Sequence, residues 1–146
     1  MSGERSARYT ANQVLLARGG AILVVLALFT GIYAASAMSG KIHADGAIAL
    51  AAHVTALLGA FWIFGAAWTL PMLRYEERTL RLVAWALLVS NYGGWLITAV
   101  KALFYVHGIN GDGPVANQVV FGALNVVVVI PALIASIAIA AGFKRG

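Results

Sequence analysis

One histidine stands inside a long hydrophobic run. His53 lies in Ala49-Leu-Ala-Ala-His53-Val-Thr-Ala-Leu-Leu-Gly59-Ala-Phe-Trp62, a stretch that reads as the outer half of a membrane-crossing helix. An ionisable side chain in hydrocarbon is costly and by default marks function. On a helix, Ala49, Ala56 and Ala60 fall at i−4, i+3 and i+7 from His53. The histidine thus sits on a stripe of small side chains, where a flat group or a second helix can come close. One reading makes His53 a metal ligand, axial to haem. The other makes it a packing histidine hydrogen-bonded to a neighbouring helix. A lone histidine does not decide between them.

The remaining polar groups of the hydrophobic runs fall near the same depth. At 1.5 Å per residue His53 lies about 10 Å below the outer end of its span. Trp95 and Thr98 of the third span reach a similar level, and Asn91, Tyr92 and Asn125 lie one to two turns deeper. Asn91, Gly94, Trp95 and Thr98 share one face of a helix, as do Gln118, Gly122 and Asn125. Amides do not face lipid comfortably, so these faces are expected to point inward or toward a subunit interface. Each also has a plainer role: the amides as interhelical hydrogen-bond partners, the aromatics as packing groups, Gly93-Gly94 as a point of close helix approach. His43 and His107 fall in loops.

Several chemistries are excluded by absence. No Asp or Glu lies in any hydrophobic run, which disfavours a proton-coupled transporter. There is no cysteine, hence no disulfide, iron–sulfur cluster, thiolate zinc site or covalently attached haem. No HExxH or Ser/His/Asp set occurs. A single histidine would leave an iron with an open coordination position, which suits a substrate-binding centre better than an electron carrier.

The elements that must position these residues are four spans. Of 146 residues, 62% are hydrophobic and 10% charged, more apolar than a soluble domain of this size requires. Runs at about 19–38, 46–70, 82–105 and 115–143 are each long enough for a bilayer core of ~30 Å. The expectation is one all-α integral membrane four-helix bundle. The first run is too long for a signal peptide and lacks a small-residue cleavage site. Residues 1–18 read as a polar lead outside it. The second span should stop at Pro71, and Pro131 should kink the fourth. Arg5, Arg8, Arg18, Arg74, Arg78, Arg81, Lys144 and Arg145 gather at one end, against Lys41 and Lys101 at the other. By the positive-inside rule both termini are cytoplasmic. The net charge of +5 follows from that topology and implies no nucleic acid.

Ala52-His53, Leu58-Gly59, Leu70-Pro71, Arg81-Leu82 and Tyr92-Gly-Gly-Trp95, with Arg18-Gly19 leading into Leu28-Phe-Thr-Gly31, resemble the small four-span hydroxylaminobenzene mutases and styrene oxide isomerases. The resemblance spans about residues 12–143. It implies a homotrimer in the bacterial inner (cytoplasmic) membrane. It implies haem b near subunit interfaces on the histidine matching His53, ferric iron acting as a Lewis acid, and isomerisation of a small aromatic epoxide or arylhydroxylamine without external reductant. Two asparagines of those families are Gly59 and Gly94 here. The acidic residue of the isomerases aligns with Ser90, their tyrosine with Thr98, and the Tyr-x-x-Trp form leans toward the mutases. With His53 on the iron, the candidates for the substrate side are Asn91, Tyr92, Trp95, Thr98 and Asn125. The alternative is a non-catalytic haem-binding or accessory membrane protein that has lost the amides at positions 59 and 94.

Overall fold

The computed structural model describes residues 10–143. Arg5, Arg8, Lys144 and Arg145, part of the basis for the expected orientation, lie outside them. The described residues contain four helical spans long and apolar enough to cross a membrane. The chain is an integral membrane helical bundle.

The first helix, α1 (Ala11–Met38), begins well before the hydrophobic run at Gly19. Thr10 explains this. Its hydroxyl accepts from the Gln13 backbone N–H while the Gln13 side chain accepts from Thr10 N, a reciprocal cap that starts the helix in the polar lead. At 28 residues α1 is about 42 Å long, beyond the ~30 Å of hydrocarbon. Its first turns, with Arg18, therefore extend toward the headgroups. The second helix, α2 (Gly46–Thr69), starts on the Asp45 carboxylate, which accepts from Ile48 N at 3.0 Å. It tightens into a 3-10 turn, Leu70–Met72, at Pro71, where the sequence places its end. The third, α3 (Glu77–Leu103), also starts earlier than the apolar run. Glu77 in its first turn complements the helix dipole. At its other end Val106 N donates to Lys101 O, and Tyr105 takes a left-handed φ of 54°.

The fourth span, Val115–Gly142, is not one uniform helix. It consists of α4 (Val115–Ala123), a π-helical stretch Leu124–Val129, and α5 (Ile130–Gly142). Pro131 offers no N–H to the α-helical ladder and crowds the carbonyl four residues back. The chain answers with a wider turn, in which Ile130 N donates to Asn125 O.

Packing is most extensive between antiparallel α1 and α2. Next come α3 on α2 and the fourth span on α3. The α2 stripe read from the sequence is the seam: Ala49, Ala52, Ala56 and Ala60 are all at 0% exposure. Alanines there let backbones approach, as membrane helices require. Hydrogen bonds close the end that carries Arg74 and Arg78. Asn12 donates to Glu77 Oε1 at 2.7 Å, Arg74 N to Gly142 O at 3.2 Å, and the Tyr75 hydroxyl to Ala138 O at 2.9 Å. The start of α1, the α2–α3 connection and the end of α5 thus share one side of the bundle.

Candidate functional site

His53 is half-buried on α2, against α1. Its Nδ1 lies 2.7 Å from the Ala27 carbonyl oxygen. A carbonyl only accepts, so Nδ1 carries the proton and donates. In the neutral ring the lone pair is then on Nε2. Among the described residues no buried side-chain nitrogen or oxygen lacks a partner. Nε2, with no hydrogen bond of its own, is therefore not fully enclosed. The hydrogen bond of a packing histidine is present, yet it occupies only one nitrogen. Metal-bound histidines use the same device: one N–H on a carbonyl fixes tautomer and ring plane, and the other nitrogen holds the ion.

Gly31 makes room for this. A Cβ on Gly31 would stand 3.0 Å from His53 Cε1 and 3.1 Å from Nδ1, so the ring lies in the space that a side chain would take. Ala27, Thr30 and Gly31 were not read as site residues. The visible signal was a threonine–glycine pair in a run of large aliphatic residues.

Trp95 reaches the same turn of α1 from α3. Its Nε1 donates to Thr30 Oγ1 at 2.8 Å, and that hydroxyl donates to Leu26 O at 2.7 Å. The α1 partners of His53 and Trp95, Ala27 and Thr30, are three residues apart, about 4.5 Å along the axis. His53 and Trp95 thus lie within about one turn of each other along α1, at the similar depth expected of them. Tyr92 ties deeper, its hydroxyl donating to Gly19 O at 2.7 Å.

Asn91 is buried and turned into the bundle. Its Nδ2 donates to Leu87 O at 2.8 Å, and its Oδ1 would lie 2.6 Å from a Cβ on Gly59. The amide thus fills the room that the missing side chain at position 59 leaves. Ser90 beside it donates to Leu87 O and is equally buried. Gly93 and Gly94 admit the π-helical stretch: a Cβ on Gly93 would meet Val127 Cγ1 at 2.6 Å, one on Gly94 Val128 Cγ1 at 3.4 Å. Thr98 is half-buried on α3. Asn125 is the second residue of the π-helical stretch and donates to Phe121 O at 2.8 Å. Asn117 serves the preceding loop: its carbonyl accepts from Gly108 N, and its Nδ2 donates to Asn110 O and Asp112 O. Gln118 donates to Gly113 O.

The candidates therefore divide. His53 meets one side of α1, while Tyr92 and Trp95 spend their polar hydrogens on carbonyl and hydroxyl groups of α1. Asn91 is closed between α2 and α3. Thr98 of the third span and Asn125 of the fourth are half-buried, and the Thr98 hydroxyl and the Asn125 amide carbonyl have no hydrogen-bond partner among the described residues.

The family model described as styrene oxide isomerase matches residues 12–144, nearly the whole chain. The chain belongs to the styrene oxide isomerase family. No curated protein and no solved structure matches it. As a member of that family the chain is an isomerase of the styrene oxide isomerase type, and the match covers all four spans. Among the described residues no group of three or more His, Asp or Glu side chains could hold a metal ion.

Proposed function

We propose that the protein is a haem-b-dependent membrane isomerase or mutase that rearranges a small aromatic epoxide or arylhydroxylamine, with His53 as the iron ligand. The observation that carries this reading is the state of the imidazole: Nδ1–H held on Ala27 O, with Nε2 unengaged and not fully enclosed. The residues present suit the group. Gly31 leaves the imidazole its space against α1, and the Ala27 carbonyl holds its plane. What ferric haem supplies when bound there is Lewis acidity toward a substrate oxygen.

The chain's own residues have defined tasks in this scheme. Ala27 O orients His53 and strengthens it as a donor. Trp95, through Thr30, fixes the α1 turn that carries Ala27. Tyr92 pins α1 to α3 lower down. Asn91 holds the α2–α3 contact at Gly59. Thr98 and Asn125 are the groups left to contact substrate. The apolar surroundings exclude water, which strengthens electrostatic polarisation and protects reactive species from hydrolysis. In this reading a second copy completes the site at the edge of the first, and the protein is a homotrimer. Both termini lie in the cytoplasm of a bacterial inner membrane, because Arg18, Arg74, Arg78 and Arg81 belong to one end of the bundle.

The test is an absorption spectrum of detergent-purified protein beside His53→Ala. A Soret band in the wild type that is lost in a folded variant supports the ligand. Conversion of styrene oxide or phenylhydroxylamine without reductant then supports the isomerase. A Soret band without turnover of either would favour a non-catalytic haem protein, and no Soret band after haem supplementation would overturn the cofactor.

A further inference from the structure

Arg18 lines two separate apolar grooves, one on each side of α1. The first, about 430 Å³, lies against α3, with Leu15, Ile22, Trp85 and Val89 in its walls. The second, about 500 Å³, lies against α2, with Val14, Ala17, Phe64 and Trp68. Both volumes are in the ~300–1,000 Å³ range of ligand sites. Arg18 is the one charged residue among those lining either groove. Two glycines shape the floors. Gly19 receives the Leu88 side chain, and Gly20 lets the Phe64 ring lie across α1, 2.9 Å from where a Cβ would be. Trp85 and Trp68 are exposed at 52% and 77%, one beside each groove. At this level of a span, tryptophans mark the headgroup boundary.

From this arrangement we infer that the α1 surface around Arg18 is a binding site for one diacyl anionic phospholipid. The guanidinium takes the phosphate, and one acyl chain descends each groove. Charge complementarity selects the headgroup: a fixed cation at the interface with no acidic side chain in either wall favours an anionic lipid over a zwitterionic one. The pair of grooves selects the chain number, since a single-chain amphiphile leaves one unfilled. The inference rests on the membrane reading of the fold and not on the haem, so the two stand or fall separately.

Native mass spectrometry of protein extracted from vesicles of equal phosphatidylglycerol and phosphatidylcholine tests it. The wild type is expected to retain one phosphatidylglycerol. Arg18→Gln should retain about fivefold less, the effect of one cation at an anionic surface. Arg78→Gln, which removes the same charge outside the grooves, should retain it fully. Lysophosphatidylglycerol should bind more weakly than the diacyl lipid. Unfolding of Arg18→Gln in zwitterionic detergent shows whether the variant is folded, and Arg18→Lys should recover part of the binding if the site is intact. Equal losses in Arg18→Gln and Arg78→Gln would mean general surface attraction and overturn the site. So would equal binding of the lyso form. No lipid on the wild type, together with an oligomer that dissociates in Trp68→Ala or Trp85→Ala, would show that a second copy fills the grooves instead.

Discussion

A histidine's two nitrogens are assigned here by a carbonyl on another helix. Ala27 O takes the proton of Nδ1 at 2.7 Å, and Gly31, one turn further along α1, leaves the ring its space. Gly31→Ala should therefore impair the site without touching its ligand. The added carbon would press on Cε1 and Nδ1, and haem affinity should fall about tenfold, at the lower end of the cost of disturbing a ligand's supporting contacts. Haem titration of the apo-protein reads this. Gly65→Ala is the control, since nothing lies within 4 Å of its Cβ position. A second residue-level expectation concerns Gly59 and Asn91. Gly59→Asn alone forces a side chain onto the Asn91 amide and should cost about 1–3 kcal/mol by overpacking. Adding Asn91→Gly should return most of that. Unfolding of the four forms in detergent gives the coupling; simple additivity would show that the two positions do not share one space.

At the scale of the elements, the π-helical stretch and the glycine pair facing it act together. Val127 and Val128 come against Gly93 and Gly94 because Pro131 has widened the turn before it. Deleting Val126 should restore α-helical pitch while α4 and α5 keep nearly the same relative facing, since a π-helical turn absorbs one extra residue. The native chain has no cysteine, so Gly94→Cys with Val128→Cys reports the packing directly. The pair should cross-link on oxidation, and its failure to do so would overturn the contact between Gly94 and Val128. Much at this scale is legible in the sequence: four spans, the stop at Pro71, the small-residue seam through Ala49, Ala56 and Ala60, and the common depth of His53 and Trp95. Periodicity supplies depth and face. It does not supply which carbonyl a side chain finds on another helix. Hence the bonds of Tyr92 to Gly19, Trp95 to Thr30 and His53 to Ala27 needed the structure. The early start of α1 is hidden because a cap, not hydropathy, sets it, and that of α3 because its first turn is charged. A π-helical turn leaves hydropathy unchanged, so Pro131 read only as a kink.

The whole molecule presents one knotted end and one looser end. Asn12–Glu77, Arg74–Gly142 and Tyr75–Ala138 gather both described ends of the chain and the second connection on one side. Single cysteines at Arg78 and at Lys41 or Asn110 should therefore react from opposite faces of the membrane. In sealed cells a membrane-impermeant maleimide should label positions 41 and 110 and spare position 78; the reverse pattern would invert the orientation. The fourth span, only 6% buried within the chain, offers the broadest surface for lipid or for a second copy. The first hairpin is its opposite: α1 and α2 pack most extensively of all pairs, and they contain both His53 and Ala27. This bears on the order of synthesis. Once residue 69 has left the ribosome, the imidazole and the carbonyl that orients it are both made, while Tyr92 and Trp95 are still unborn. A nascent chain holding two of its four spans already has the imidazole and the carbonyl that sets its tautomer, and gains the Trp95 support of that turn only when the third span follows.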